Sequence, residues 1–443
     1  MSQEIRNLEP KALWNQFADL NAVPRPSKKE EQVIQFMKDF GNRLGLETFE
    51  DEIRNVIIRK PATPGMENRK PIVLQGHLDM VHQKNNDTVF DFETQGIEMY
   101  VDGDWVRAKG TTLGADNGLG VAAIMAVLES TDIPHPAIEA LFTIDEETGM
   151  TGALNLQGGI LQGQILLNLD TEEDDEIDIG CAGGIDVTAT AEYDEEDTPE
   201  GSVGYSITVK GLQGGHSGMD IHKGLGDANK IMNRLLFDGF DNFGLQIASI
   251  AGGSLRNAIP RESVAKVIIA AVYDEAFVFD MQQIVNEIKA EFKTTEPNLE
   301  IVFEKLTEVP AKVMPSIAQF YFVRSMYTAH NGVYRMSADF DNLVETSNNI
   351  AKVIVGEGQL TVQCLTRCFV ESAKIELANA LRSAFELMGC EVEFSGAYPG
   401  WTPNPKSEIL DVLVGIYEKQ NNAKPNVVAC HAGLECGILG TNY

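Results

Sequence analysis

The chain has 443 residues, more than one ordinary core accommodates, so two domains are expected and a third is permitted. Hydrophobic residues make up 43% and charged residues 23%, the balance of a water-soluble globular chain. Lys plus Arg (35) against Asp plus Glu (66) gives a net charge of −31, which argues against nucleic acid and anionic membranes as partners and suits bound metal cations.

Residues 1–45 read as helical, broken at "NAVPRPS" by two prolines. Ser27 followed by Glu30 reads as a capping box for a second helix, "KKEEQVIQFMKDFGNRLG". Short apolar runs then predict strands at "NVIIRK", "PIVLQG", "AIEALFTI" and "QILLNL". Between the second and third lies "NGLGVAAIMAVLES" (117–130), apolar nearly all round, which predicts a buried helix. Strand, helix, strand with continuous apolar strands predicts an α/β fold with a mostly parallel sheet.

Composition shifts after "DIGCAGG" (178–184). The alternating stretch "DVTATAEYDEEDTPEGSVGYSITVKG" predicts a hairpin with an acidic loop. "LGDANKIMNRLLFDGF" predicts an amphipathic helix. "SVAKVIIAAV", "LEIVFEKL" and "EGQLTVQCLTRC" predict strands, with helices near 276–294 and 371–389. A helix, "SEILDVLVGIYEKQ", and a strand-like "NVVAC" follow. The expectation is an α+β domain over 184–392 inserted into a discontinuous domain of 1–183 and 393–443, with no internal repeat. Six cysteines without a C-x-x-C pair, no secretory leader, and no apolar run near the roughly 18 residues of a membrane span predict a cytoplasmic protein with reduced thiols.

In parallel α/β sheets, sites form beyond the carboxyl ends of strands, and four places put His or acids there. His77 and Asp79 follow "IVLQG"; Asp116 precedes the buried helix; Glu146 and Glu147 follow "ALFTID"; Asp170 follows "ILLNL". Taken singly, each has a structural reading: a hydrogen-bonded histidine, a solvated acidic pair, a helix cap, a surface loop. Together they compose a donor set for a divalent ion, and zinc accepts such nitrogen and oxygen ligands. His77 would ligate through one ring nitrogen while Asp79 accepts from the other. The two oxygens of Asp116 could bridge two ions. Of Glu146 and Glu147, one could hold metal and the other act as base.

"GHLDMV", "TTLGADNGLGVAA", "FTIDEETGMTGA", "NLDTEE" and "GGHSG" resemble, in that order, the motifs of the co-catalytic two-zinc peptidases, the family of aminoacylases, glutamate-type carboxypeptidases and carnosinases. The resemblance runs over nearly the whole chain and is nearest to the bacterial aminoacyl-histidine (Xaa-His) dipeptidases. It implies a zinc-peptidase catalytic domain with an inserted lid that serves dimerisation, and metal-dependent hydrolysis of short peptides, with manganese or cobalt as other possible ions. It also implies site roles. His77, Asp116 and Asp170 would hold one ion, and Asp116 and Glu147 the second. Glu146 would be the general base, and Asp79 would orient His77. His216 would serve the oxyanion, often across a homodimer. Asn257 and Arg367 would hold the substrate backbone and its carboxylate, and Gly433 of "HAGLECG" would line the site. The family carries one more histidine ligand beyond that motif. None follows here before Tyr443, which points either to a truncated C-terminal end or to an incomplete second metal site, and His431 is the only histidine nearby. Two alternatives stay open: an N-acyl amino acid deacylase or carboxypeptidase on the same scaffold, and a non-catalytic peptide-binding relative.

Overall fold

The computed structural model describes residues 4–443, and the chain divides into two units. The first runs through Asp178 and adds Pro405–Val428 and Ile438–Tyr443; the second is Ile179–Asn404 with Ala429–Gly437. The two ends of the inserted segment are zipped together, because Cys181 and Trp401 exchange both backbone hydrogen bonds, at 2.9 and 2.8 Å. The main segment of the second unit thus runs from Ile179 to Asn404, wider than the 184–392 expected, most of all at its far end. The "HAGLECG" segment, expected in the catalytic part, groups with the second unit.

The first unit opens with α1 (Lys11–Leu20) and α2 (Glu31–Arg43). The capping box does not form: the Ser27 hydroxyl donates to the Met80 carbonyl, and the Glu30 carboxylate accepts from the Lys28 N–H. Five strands follow, β1 (Glu47–Glu50), β2 (Val56–Lys60), β3 (Ile72–His77), β4 (Ile138–Thr143) and β5 (Ile165–Asn168), in the sheet order β1-β2-β4-β3-β5. The site-bearing strands β4, β3 and β5 are parallel, and the other two run antiparallel at one edge. Every residue of β4 is buried, including Glu139, whose carboxylate is paired with Arg59 at 2.9 Å. Helix α3 (Ala115–Glu129) packs Val121, Ile124, Met125 and Leu128 with Val33, Met37 and Phe40 of α2 and with Leu74 and Phe142 of the sheet. That core fixes the strands whose ends carry the chemistry.

The second unit is built on a nine-stranded antiparallel sheet. Its strands include β6 (Gly183–Glu192), β7 (Ser202–Lys210), β8 (Gln246–Gly253), β9 (Ser263–Ala270), β10 (Glu300–Lys305), β11 (Val344–Gly356), β12 (Gln359–Cys368) and β13 (Glu391–Tyr398). The expected hairpin is absent: β6 pairs with β12 and β13, and β7 with β9 and β10. The sheet order is β10-β7-β9-β8-β11-β12-β6-β13. It is a palindrome of two β-α-β-β-α-β halves. One half is β7, α5 (Ala228–Phe243), β8, β9, α6 (Asp274–Glu291) and β10. The other is β6, α7 (Ser316–Thr328), β11, β12, α8 (Glu371–Glu386) and β13. The first half is threaded between the first strand and first helix of the second. They join edge to edge where β8 pairs with β11, and α5 packs on α7 through Phe237 against Tyr327. No repeat is visible in the sequence because only the backbone topology repeats. Among the described residues no helix is long and apolar enough to cross a membrane.

Candidate functional site

Parallel pairing sets His77 opposite Thr143 and Gln75 opposite Asn168. The residues that follow, Asp79, Glu146, Glu147 and Asp170, therefore leave the sheet along one edge. Between β4 and Glu146, Asp145 adopts a left-handed conformation (φ 50°) and starts the short helix α4 (Glu146–Gly149). A helical turn, rather than a strand, is what lets two adjacent glutamates serve one region. Asp79 completes the turn: its Oδ1 and Oδ2 accept the Glu146 and Glu147 N–H groups at 3.0 and 3.3 Å.

His77 is 1% exposed and lies among three carboxylates. Its Nε2 is 3.0 Å from Asp116 Oδ1 and 3.5 Å from Asp170 Oδ1, and its Nδ1 is 3.3 Å from Asp79 Oδ1. One donor atom each from His77, Asp116 and Asp170 lie within 4.8 Å of one another. A neutral imidazole carries one N–H, so two carboxylates facing the same nitrogen suit a cation between them. The charge balance points the same way. Burial disfavours protonated His77, but Asp116, Asp170 and Asp79 outweigh it and hold its pKa well above the usual range. Burial raises the Asp170 carboxyl, while its hydrogen bond to His77 keeps that of Asp116 low. Burial, then the charge of Asp116, pushes Glu147 up to about 7. A divalent ion would relieve all of these, so the donor set fits one. Glu147 lies outside the tight triad; its Oε1 accepts the Val81 N–H at 3.2 Å.

Asp116 does not cap α3. The residue before the helix is Gly114, Asp116 has non-helical angles, and the Asp116–Asn117 peptide is cis. Asn117, which the sequence did not single out, ties the segments together: its Oδ1 accepts the His77 N–H at 3.3 Å and its Nδ2 donates to the Leu169 carbonyl. A second acidic triad was also missed. Glu30, Asp79 and Asp145 are all buried with donor oxygens within 4.8 Å of one another. Asp145 accepts from the hydroxyls of Thr148 and Thr151, and burial raises the Glu30 carboxyl. The sequence assigns Glu30 to a helix cap, and a carboxylate just before a helix carries no signal of burial.

The lid residues form their own group within the second unit. Gly215–His216 pairs with Ala258–Ile259, and the Ser217 N–H donates to the Asn257 carbonyl at 2.8 Å. His216 donates its backbone N–H to Asp220, while its Nδ1 accepts from the N–H groups of Gly218 and Met219. Gly218 is required, because a Cβ there would lie 2.0 Å from the His431 carbonyl oxygen. Burial, then the charge of Arg367, lowers the His216 pKa to about 4. Arg367 is 4% exposed. It donates to the Tyr398 hydroxyl at 2.8 Å and the Ser217 hydroxyl at 3.4 Å, and its Nη2 is 3.4 Å from His216 Nε2. All three partners are neutral. His431 shares a 2.8 Å hydrogen bond with the Ser347 hydroxyl in the same unit. Asn257 is exposed and Gly433 half-buried. The strand β11, not among the strands expected from sequence, holds these loops: buried Asn349 donates to the Arg256 and Ala258 carbonyls on either side of Asn257.

A family model described as a peptidase dimerisation domain (M20_dimer) matches residues 200–298, the first half of the second unit. The chain belongs to the M20 metallopeptidase family. It is 42% identical over 444 residues to the cytosol non-specific dipeptidase of Escherichia coli (strain K12), covering 99% of this chain and 90% of that protein. The crystal structure of aminoacylhistidine dipeptidase from Vibrio alginolyticus matches with a TM-score of 0.89 at 44% identity, over 99% of this chain and 89% of that one. The aminopeptidase PepT from Bacillus cereus, at 17% identity and a TM-score of 0.54 over 98% of this chain and 87% of that one, shares the fold.

Proposed function

We propose that this chain is a cytoplasmic metal-dependent dipeptidase. His77, Asp116 and Asp170 would hold one divalent ion, and Asp116 and Glu147 a second. Zinc suits this mix of imidazole and carboxylate, and manganese or cobalt would be accepted. When bound, such ions lower the pKa of water toward neutrality and polarise a peptide carbonyl. Glu146 takes the proton from the attacking water and passes it to the leaving amine as the C–N bond breaks. Asp79 holds the α4 turn through two backbone N–H groups and faces His77 Nδ1, so one carboxylate orients both the base and a ligand. The observation that carries this reading is the convergence of three donors at His77 Nε2 and its neighbours, in a chain this similar to dipeptidases.

His216 supplies the oxyanion donor. Its Nδ1 already accepts two backbone N–H groups, so the ring proton sits on Nε2, and a pKa near 4 keeps the ring neutral. Arg367 has only neutral partners and grips the carboxylate of a short peptide. Asn257 holds the substrate backbone and Gly433 lines the site. His216 and Arg367 come from opposite halves of the palindromic sheet and meet within one chain. A homodimer through the lid belongs to this reading, supported by the dimerisation-domain match, and it would use a surface other than the β8 edge already paired with β11. Glu146→Gln tests the mechanism. It is expected to remove dipeptide turnover while metal content stays at the parent level; parent-rate turnover would refute the assignment of the base.

A further inference from the structure

Arg25 lies in the break between α1 and α2 and is 1% exposed, among the largest fully buried side chains of the protein. Its Nη1 donates to the carbonyls of Leu78 (3.2 Å) and Asp79 (2.9 Å). Its Nη2 donates to Asn21 Oδ1 (3.0 Å) and to the Gly114 carbonyl. The acceptors therefore come from three segments: the end of α1, the continuation of β3 beyond His77, and the turn that presents Asp116. Leu78 and Asp79 have left the β3 ladder, so carbonyls there need another partner. The sequence around Asp116 is shaped to admit the guanidinium. A Cβ at Gly114 would lie 2.5 Å from Arg25 Nη2, and one at Gly118 would lie 2.6 Å from it. Asn21 is held in turn by its Nδ2, which donates to the Leu113 carbonyl at 3.0 Å. Burial lowers the Arg25 pKa to about 10, against the opposing charges of Asp79, Asp116 and Glu147, so it remains a cation at neutral pH.

We propose that Arg25 is a positioning residue for the metal centre: its rigid fork fixes the His77–Asp79 strand end and the Gly114–Asp116 turn at the spacing at which His77, Asp116 and Asp170 share an ion. A guanidinium is needed because donors held in a rigid fork must reach acceptors on three segments at once, which an ammonium on a flexible stem cannot do. The arrangement also keeps one fixed positive charge beside carboxylates that would otherwise repel each other before an ion arrives. This inference rests on the metal reading given above and adds to it a residue that touches neither ion nor substrate.

The test is Co²⁺ titration of the metal-free full chain, followed by calorimetry and by the visible d–d absorption, for the parent, Arg25→Lys and Arg25→Met. Far-UV circular dichroism identifies folded samples. Both variants are expected to fold and to bind Co²⁺ about 10- to 100-fold more weakly, with an altered d–d spectrum, as loss of a group behind a metal ligand does. Lysine, which keeps the charge, is expected not to rescue. A folded Arg25→Lys with parent affinity and spectrum would overturn the proposal, and it decides the matter alone if Arg25→Met does not fold. A parent chain that binds no Co²⁺ would remove the metal reading itself; parent binding with unchanged variants removes only the role of Arg25.

Discussion

Arg367→Met is expected to act in opposite directions on stability and on activity. The guanidinium is 4% exposed, and no carboxylate among the described residues lies within ion-pair distance of it. Removing it forfeits one good hydrogen bond to Tyr398, worth about 1 kcal/mol, and a longer one to Ser217 at 3.4 Å worth less, while the 3.4 Å approach to the protonated His216 Nε2 sets two donors face to face and contributes nothing favourable. It also removes a buried charge whose desolvation costs several kcal/mol, so the substrate-free lid should unfold at the same temperature as the parent or higher. Substrate reverses the balance. A buried pair between a guanidinium and a peptide carboxylate is worth about 2–5 kcal/mol on truncation, so kcat/KM for a dipeptide should fall about 30- to 5,000-fold. The assay is a four-way comparison of parent and variant on a dipeptide and on the same dipeptide amidated at its C-terminus. The amide should be a poor substrate for the parent and lose little further in the variant. An equal loss on both substrates, or a variant lid that unfolds several degrees early, would refute the reasoning.

Two further outcomes follow from the same geometry. Asp227 caps α5 by accepting the Lys230 N–H at 2.9 Å, and burial pushes its carboxyl from the ordinary 3.8 up to about 7. Because the folded pKa is the raised one, the stability contributed by its neutral form is full below about pH 4 and is lost as pH rises through about 7, a difference of about 4 kcal/mol at most. Asp227→Asn keeps the cap without the charge, so denaturant unfolding of the lid should show the variant more stable than the parent at pH 8 and equal at pH 4; equal stabilities at pH 8 would contradict it. Chelation of the native protein should abolish dipeptide hydrolysis and lower the unfolding temperature of the first unit, since an ion at 100 times its Kd adds about 2.7 kcal/mol. Indifference to chelator in both measurements would remove the metal from the account.

The sequence by itself located the three parallel strands of the first unit and their carboxyl ends. Mostly apolar runs at 72–76, 138–143 and 165–167, broken only by Gln75 and Glu139, read as strands of an α/β sheet, and residues just past the carboxyl ends of such strands converge, so His77, Asp79, Glu146, Glu147, Asp170 and, before α3, Asp116 were legible as one set. The tertiary structure alone decided which strands are partners and which polar groups are inside. β6 and β7 alternate as a hairpin should, yet each pairs with strands distant in the chain, and the palindrome of the lid exists only in that pairing. The burial of Arg25, Glu30, Asn117 and Asn349 of β11 was not legible, because a polar side chain carries no periodic signal of its own. Arg25, Asn117 and Asn349 are buried because backbone groups from remote segments converge on them, and those acceptors and donors come into existence only when the segments meet.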